Sequence, residues 1–235
     1  MLDRYYQLIV NEENKKAEIY IYGDITSWEW NQSDVSSYTL TKALAELSPD
    51  IAEIEVYINS YGGEVAEGLA IYNALKRHKA KVTTYVDGFA ASIASVIFMA
   101  GDERIMSNAS MLFVHNAWTY ASGNANDLRK QADDLEEITQ ASINAYMENV
   151  DISEEELKQL LDDETWLSAD RCIDLGFATS MIVDKANRTS QSVKKQMFKK
   201  LKKQQLVEKT PKPKEEPKEE PKENAFIAFL EKLAN

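Results

Sequence analysis

An α/β fold follows from the way this chain alternates. Segments rich in β-branched and aromatic residues with a period of two are each followed by segments with apolar residues at helical spacing. A glycine pair, Gly62-Gly63, stands between one such strand and the helix after it, which is the join a right-handed β-crossover-β unit needs. Apolar residues make up 44% of the 235, enough for a sizeable core, and no apolar run reaches the roughly 20 residues of a membrane-spanning helix.

Residues 17–25 alternate and are β-rich, so they read as the first strand. Residues 33–47 have helical spacing behind a Ser/Asp run that suits an N-terminal cap. Residues 54–59 form a second strand, closed by Gly62-Gly63, and residues 65–78 a helix through Val65, Leu69, Ile71, Tyr72 and Leu75. Residues 81–86 are a third strand. Gly88-Phe89-Ala90-Ala91-Ser92 reads as a turn into an almost wholly apolar helix over 91–100. Short strands are expected at 104–106 and 111–115, and a long charged helix at 124–149 carrying Leu128, Ala132, Leu135, Ile138, Ile143 and Tyr146. Its apolar stripe is too long for a domain of this size to cover, which marks a partner surface. Helical pieces at 153–161 and 168–175 precede a last strand at 180–183.

Three regions are expected: a folded body over 1–186, a basic, Pro/Lys/Glu-rich linker over 187–223, and a short amphipathic helix over 224–235 that docks on a partner or stays unfolded. From Lys194 onward there are 12 Lys against 7 Glu, a charge of +5, which leaves −17 of the total −12 in residues 1–193. An acidic body argues against broad nucleic-acid binding. The first residues lack the basic and apolar regions of a secretory signal, and the single cysteine, Cys172, excludes an intrachain disulfide and suits a reducing, cytoplasmic setting. No Walker-type loop, no Cys/His metal spacing and no His-Glu-x-x-His motif is present, so neither a metal nor another cofactor is expected.

The candidate chemistry is a serine hydrolase. Ser92 falls at a strand-to-helix junction among small residues, where a nucleophile gains exposure and a helix N-terminus beside it. Ser95, one turn along, is the rival, although a serine inside a helix tends to bond back to the preceding turn. The chain has two histidines. His115 ends an apolar strand and faces a cleft more naturally than a loop, whereas His78 follows Lys76-Arg77 at a helix C-terminus, where a cation is favoured on electrostatic grounds alone. Main-chain amides at Gly62-Gly63 and the amide of Ile93 are candidate donors to an oxyanion. Asp163 and Glu164 are the acidic pair able to orient an imidazole; alone, they would read as a charged helix end.

Tyr57-Ile-Asn-Ser-Tyr-Gly-Gly63 with Gly68, Gly88-Phe-Ala-Ala-Ser-Ile93, Met111-Leu-Phe-Val-His115, and Trp166-Leu-Ser-Ala169 with Asp174-Leu-Gly176 resemble the signature blocks of the Clp protease proteolytic subunit family, ClpP. Within it, Gly68-Leu-Ala-Ile-Tyr-Asn-Ala-Leu75, Gly123-Asn-Ala-Asn-Asp-Leu128 and Glu164-Thr-Trp166 are similar to phage-encoded head-maturation (prohead) proteases. The resemblance implies a ClpP/crotonase-type fold of stacked β-β-α units with a long handle helix. It implies Ser92 as nucleophile, His115 as base, and Gly63 and Ile93 as oxyanion donors. It further implies heptameric rings, often paired, acting on protein or peptide substrates, with a capsid or scaffold protein or an AAA+ unfoldase as partner. Two positions depart from the family pattern: Tyr61 replaces a proline, and the catalytic aspartate falls at Glu164, which leaves Asp163 as a rival. A catalytically silent assembly protein on the same fold stays open as the reading from another class. Crotonase-like acyl-CoA enzymes share the fold and an oxyanion hole but fit Ser92 with His115 less well than a peptidase does.

Overall fold

The computed structural model describes residues 8–31 and 34–182. The linker over 187–223 and the helix expected over 224–235 lie outside the described residues. Among those described, strands and helices alternate as expected. The order is β1 (Leu8–Asn11), β2 (Lys16–Ile21), α1 (Ser37–Ala45), β3 (Glu53–Ser60), α2 (Val65–Lys76), β4 (Lys81–Ala91), α3 (Ile93–Phe98), β5 (Glu103–Ser107), β6 (Met111–Val114), α4 (Ala125–Met147), α5 (Glu154–Asp162), β7 (Thr165–Ser168), α6 (Ala169–Asp174) and β8 (Ser180–Ile182).

One mixed sheet organises these elements, in the order β1-β2-β3-β4-β5-β8. All neighbours in that path pair in parallel except β1, which is an antiparallel edge. On one face Ala17, Ile19 and Ile21 of β2, Ile54, Val56 and Ile58 of β3, and Val82 and Val86 of β4 are buried in the apolar core together with Leu40, Ile71, Leu75, Ile97 and Phe98 of the helices. On the other face Tyr20, Tyr57 and Tyr85 occupy one register row and stack at 4.9 and 4.7 Å between ring centroids. Their hydroxyls donate to Glu18 and Glu55, and Glu55 is also paired with Lys16 at 2.7 Å.

Strand β4 sets up the site by changing partners along its length. Its first half pairs β5 through Thr83–Val86, and its second half pairs β6 through Phe89↔Met111, Ala90↔Leu112 and Ala91↔Phe113. Between the halves the ladder to β3 slips, from Ile58↔Val86 to Ser60↔Ala90. The Asn59 side chain fills the irregularity and accepts the Phe89 N–H at 3.2 Å. A Cβ at Gly88 would lie 2.4 Å from the Asn59 Oδ1, so glycine there lets the Asn59 side chain keep its place. Strand β7 then pairs β6 antiparallel and completes a small side sheet.

Several expectations change. The segment expected to turn into a helix at Gly88 is instead strand as far as Ala91, with the reversal confined to Ser92. The first strand ends at Ile21, and Ile25 forms isolated bridges to Val35 and Gly63. Helix α1 begins at Ser37 behind Ser36, whose Oγ accepts the Thr39 N–H at 3.3 Å. Two strands, β1 and β7, were not anticipated. The stripe on α4 splits: Ile143 and Tyr146 are buried in the core, whereas Leu128 and Ile138 stand 45% and 40% exposed.

Candidate active site

Ser92 sits at φ 55, ψ −131, the conformation of the first central residue of a type II′ turn, which favours glycine. A non-glycine residue there is strained by roughly 1–3 kcal/mol and persists only where its surroundings hold it. Both main-chain groups of Ser92 are held: its N–H donates to the Phe113 carbonyl at 2.9 Å, and its carbonyl accepts the Ser95 N–H at 2.9 Å and the Ser95 hydroxyl at 2.5 Å. This sharp step from strand to helix leaves the Ser92 side chain free to face a cleft.

His115 arrives beside it because β4 and β6 run parallel in register. With Ala91 opposite Phe113, the residues just past both strand ends are neighbours. The imidazole Nε2 lies 2.7 Å from the Ser92 Oγ, and the ring packs against Phe113 at 5.2 Å, which in turn stacks on Trp166 at 4.6 Å. Burial among these rings pulls the His115 pKa below its ordinary value of 6.5, opposed by a hydrogen bond to the Asn116 main chain and by the charge of Glu164. Burial wins, so the imidazole is neutral at neutral pH and able to accept a proton.

Of the acidic pair, the geometry favours Glu164. Strands β6 and β7 pair Phe113↔Trp166 and Val114↔Thr165, so one further step sets His115 opposite Glu164. Glu164 turns the chain from α5 into β7 with φ 47, and its charge bears on His115. Asp163 caps the C-terminus of α5 and is exposed. An aspartate that the sequence did not single out does make a contact here: the Asp162 Oδ1 accepts from the Asn116 Nδ2 at 2.7 Å and so braces the residue after His115.

The Gly62-Gly63 turn presses against the Ser92 step. A Cβ on Gly62 (φ 98) would meet the Ala91 carbonyl and the Ser92 Cβ at 2.7 Å, and one on Gly63 (φ 149) would meet the Ile25 carbonyl at 2.0 Å. The Gly62 N–H donates to the Ser60 Oγ at 3.0 Å and the Glu64 N–H to the Ile25 carbonyl at 2.8 Å. Between them the Gly63 N–H has no acceptor among the described residues. Ile93 opens α3, so its N–H has no carbonyl a turn earlier within the helix. Ser92, His115, Gly63 and Ile93 all line one cleft of about 720 Å³, together with Val65, Val96, Tyr146 and Trp166. A nucleophile, a neutral base and two amides converging on one cavity can attack a carbonyl and stabilise the oxyanion that forms.

The other candidates fall elsewhere. Ser95 is buried, with its Oγ also 2.6 Å from the Tyr146 hydroxyl. His78 is not the cation its place suggested: burial lowers its pKa, and its Nδ1 accepts the Ala80 N–H at 3.1 Å. Burial pushes the Cys172 thiol up to about 12, which makes it inert. The sequence also gave no notice of the ring stack behind His115. Trp166 belongs to β7, whose four residues are too few for a period-of-two signal.

The chain also matches proteins already known. The family model described as Clp protease matches residues 6–185. Over 132 residues the chain is 33% identical to a protein of Deinococcus radiodurans named "ATP-dependent Clp protease proteolytic subunit". That match covers 55% of this chain and 65% of the relative, so the chain spans less than two thirds of its length.

Proposed function

From a chain that belongs to the Clp protease family, we propose a serine endopeptidase with Ser92 as nucleophile, His115 as general base, Glu164 as the orienting carboxylate, and the N–H groups of Gly63 and Ile93 as oxyanion donors. The observation that carries this reading is the 2.7 Å contact between the Ser92 Oγ and the neutral His115 Nε2 inside the cleft. In the reaction the Ser92 hydroxyl proton passes to Nε2 as Oγ attacks the peptide carbonyl carbon. The carbonyl oxygen takes the negative charge between the two amides. The His115 proton then goes to the departing amine, leaving an acyl-enzyme on Ser92, and a water activated by the same imidazole releases the acid. No cofactor takes part in these steps.

A fluorophosphonate probe tests the proposal directly. The wild-type chain should be labelled at Ser92, and Ser92→Ala should abolish both labelling and peptide cleavage. A labelled Ser92→Ala variant, or undiminished cleavage by it, would sink the assignment. A protein that folds but is never labelled would instead be a silent assembly protein.

Two physiological settings fit this site. The first is processing of capsid or scaffold precursors during phage head assembly, supported by the likeness of the blocks at Gly68–Leu75, Gly123–Leu128 and Glu164–Trp166 to phage enzymes. The second is a proteolytic subunit fed by an AAA+ unfoldase, supported by the name of the curated relative. Cleavage of a folded precursor at a few defined sites without ATP or an added ATPase favours the first. Cleavage of folded proteins only when an unfoldase and ATP are supplied favours the second.

A further inference from the structure

The cleft carries a charge pattern that the chemistry at Ser92 does not use. Its lining includes two carboxylates, Asp24 and Glu64, and neither a lysine nor an arginine. Both flank the oxyanion turn. Asp24 precedes Ile25, whose main chain bonds the residues on either side of Gly63, and Glu64 follows Gly63 directly. Glu64 is fixed in place, because the Thr26 hydroxyl and the Ser27 N–H both donate to its Oε1, at 2.9 and 3.2 Å. These bonds favour its ionised form and engage only Oε1, while the residue lines the cavity. The Asp24 main chain is fixed too, its carbonyl accepting the Val35 N–H at 2.8 Å. Its carboxylate is exposed and has no partner among the described residues.

Two aromatic side chains complete the pattern. Tyr61 and Trp118 line the same cleft and are 71% and 65% exposed. Exposed ring faces attract cations. An apolar substrate side chain set against Asp24 would strip water from an unpaired carboxylate, and an acidic one would be repelled. A cationic side chain satisfies both kinds of group at once. The acidic body around the cleft raises the local concentration of such substrates as well.

We propose that the cleft selects polypeptides that carry a lysine or arginine close to the scissile bond, with Asp24 and Glu64 as the specificity-determining carboxylates and Tyr61 and Trp118 as the ring partners. This rests on the peptidase reading of Ser92 and names the substrate class of that site.

The test uses the full chain and a set of fluorogenic peptides. They differ at one position, scanned from about three residues before the scissile bond to about three after it, and carry Lys, Arg, norleucine, Gln or Glu there. At one or more positions Lys and Arg should exceed norleucine by about tenfold in kcat/KM, equivalent to ~1.4 kcal/mol, with Glu slowest. The ratio should shrink as ionic strength rises to about 0.5 M and fall toward one in the Asp24→Asn/Glu64→Gln double variant. Norleucine equal to or better than Lys at every position overturns the inference and leaves the peptidase standing. A Lys preference untouched in the double variant overturns the assignment to these carboxylates. Absence of all cleavage together with absence of probe labelling at Ser92 removes both readings.

Discussion

At His115 burial outweighs two opposing influences, and that balance fixes how activity responds to pH. Activity requires the neutral imidazole, so it is lost as pH falls and the ring takes up a proton. Because the folded pKa is depressed, the acid limb of kcat/KM should lie below the ordinary 6.5. Glu164 raises the His115 pKa, so Glu164→Gln should move the limb to still lower pH while reducing kcat. The loss should be about 10–100-fold, short of the ~10⁴ seen where the triad carboxylate is buried, because Glu164 is exposed. Asp163→Asn should leave both the limb and kcat where they are. A pH–rate series on the three proteins checks this, and a limb that moves with Asp163 in place of Glu164 would transfer the role. Phe113→Leu supplies the complementary test. Thinning the ring packing that desolvates the imidazole should raise its pKa and move the limb upward.

Helices α2 and α3 approach most tightly where Gly68 meets Ile93, and this contact ties packing to the proposed site. A Cβ on Gly68 would sit 2.1 Å from the Ile93 Cγ1 and 3.2 Å from its Cβ. Ile93 is buried and β-branched, so it has no free rotamer to retreat into. Gly68→Ala gains about 1 kcal/mol of helix propensity, but overpacking of this kind costs ~1–3 kcal/mol, so the melting temperature should drop or hold without rising. Because Ile93 is also a proposed oxyanion donor, kcat should fall more than stability does. A more stable variant with full activity would show that α2 simply slides. Helix α2 was plain in the sequence, since its helical spacing runs over 12 residues, and Ser92 and His115 were legible as candidates because the chain offers one base at a strand end. Glu164 was preferred to Asp163 through the resemblance alone, because the register that sets it opposite His115 depends on the ladder between β6 and a strand of four residues. Strand β1 was hidden for a related reason: it is a four-residue edge whose last three residues are exposed, so no alternation of burial shaped its sequence. The Asp87-Gly88 pair looks like a turn signal, yet tertiary pairing with β6 keeps it extended, and only the Asn59 side chain explains the glycine.

The body exposes apolar side chains on elements far apart in sequence. Leu128 and Ile138 project from α4, a helix of 23 residues that reaches about 35 Å, while Ile9 and Val10 mark the β1 edge. Isolated exposed residues of this kind are ordinary, but a long helix docked only by its last turns is not. The body should therefore self-associate, and a truncation ending near Asp184 should run as a ring-sized species in light scattering. A monodisperse monomer at micromolar concentration would contradict this. Leu128→Glu with Ile138→Glu should shift the population toward smaller species without unfolding the body, as read by circular dichroism. The pairing of β6 with β7 has a separate consequence, which concerns time during biosynthesis. Ser92 and His115 leave the ribosome well before Thr165, and at ordinary elongation rates the chain between Val114 and Thr165 takes roughly 3–10 s to make. Until β7 is out, the nascent polypeptide has neither Trp166 behind the imidazole nor Glu164 across from it. For the peptidase proposed above, the order of synthesis therefore delays completion of the site until the chain past Trp166 has been made.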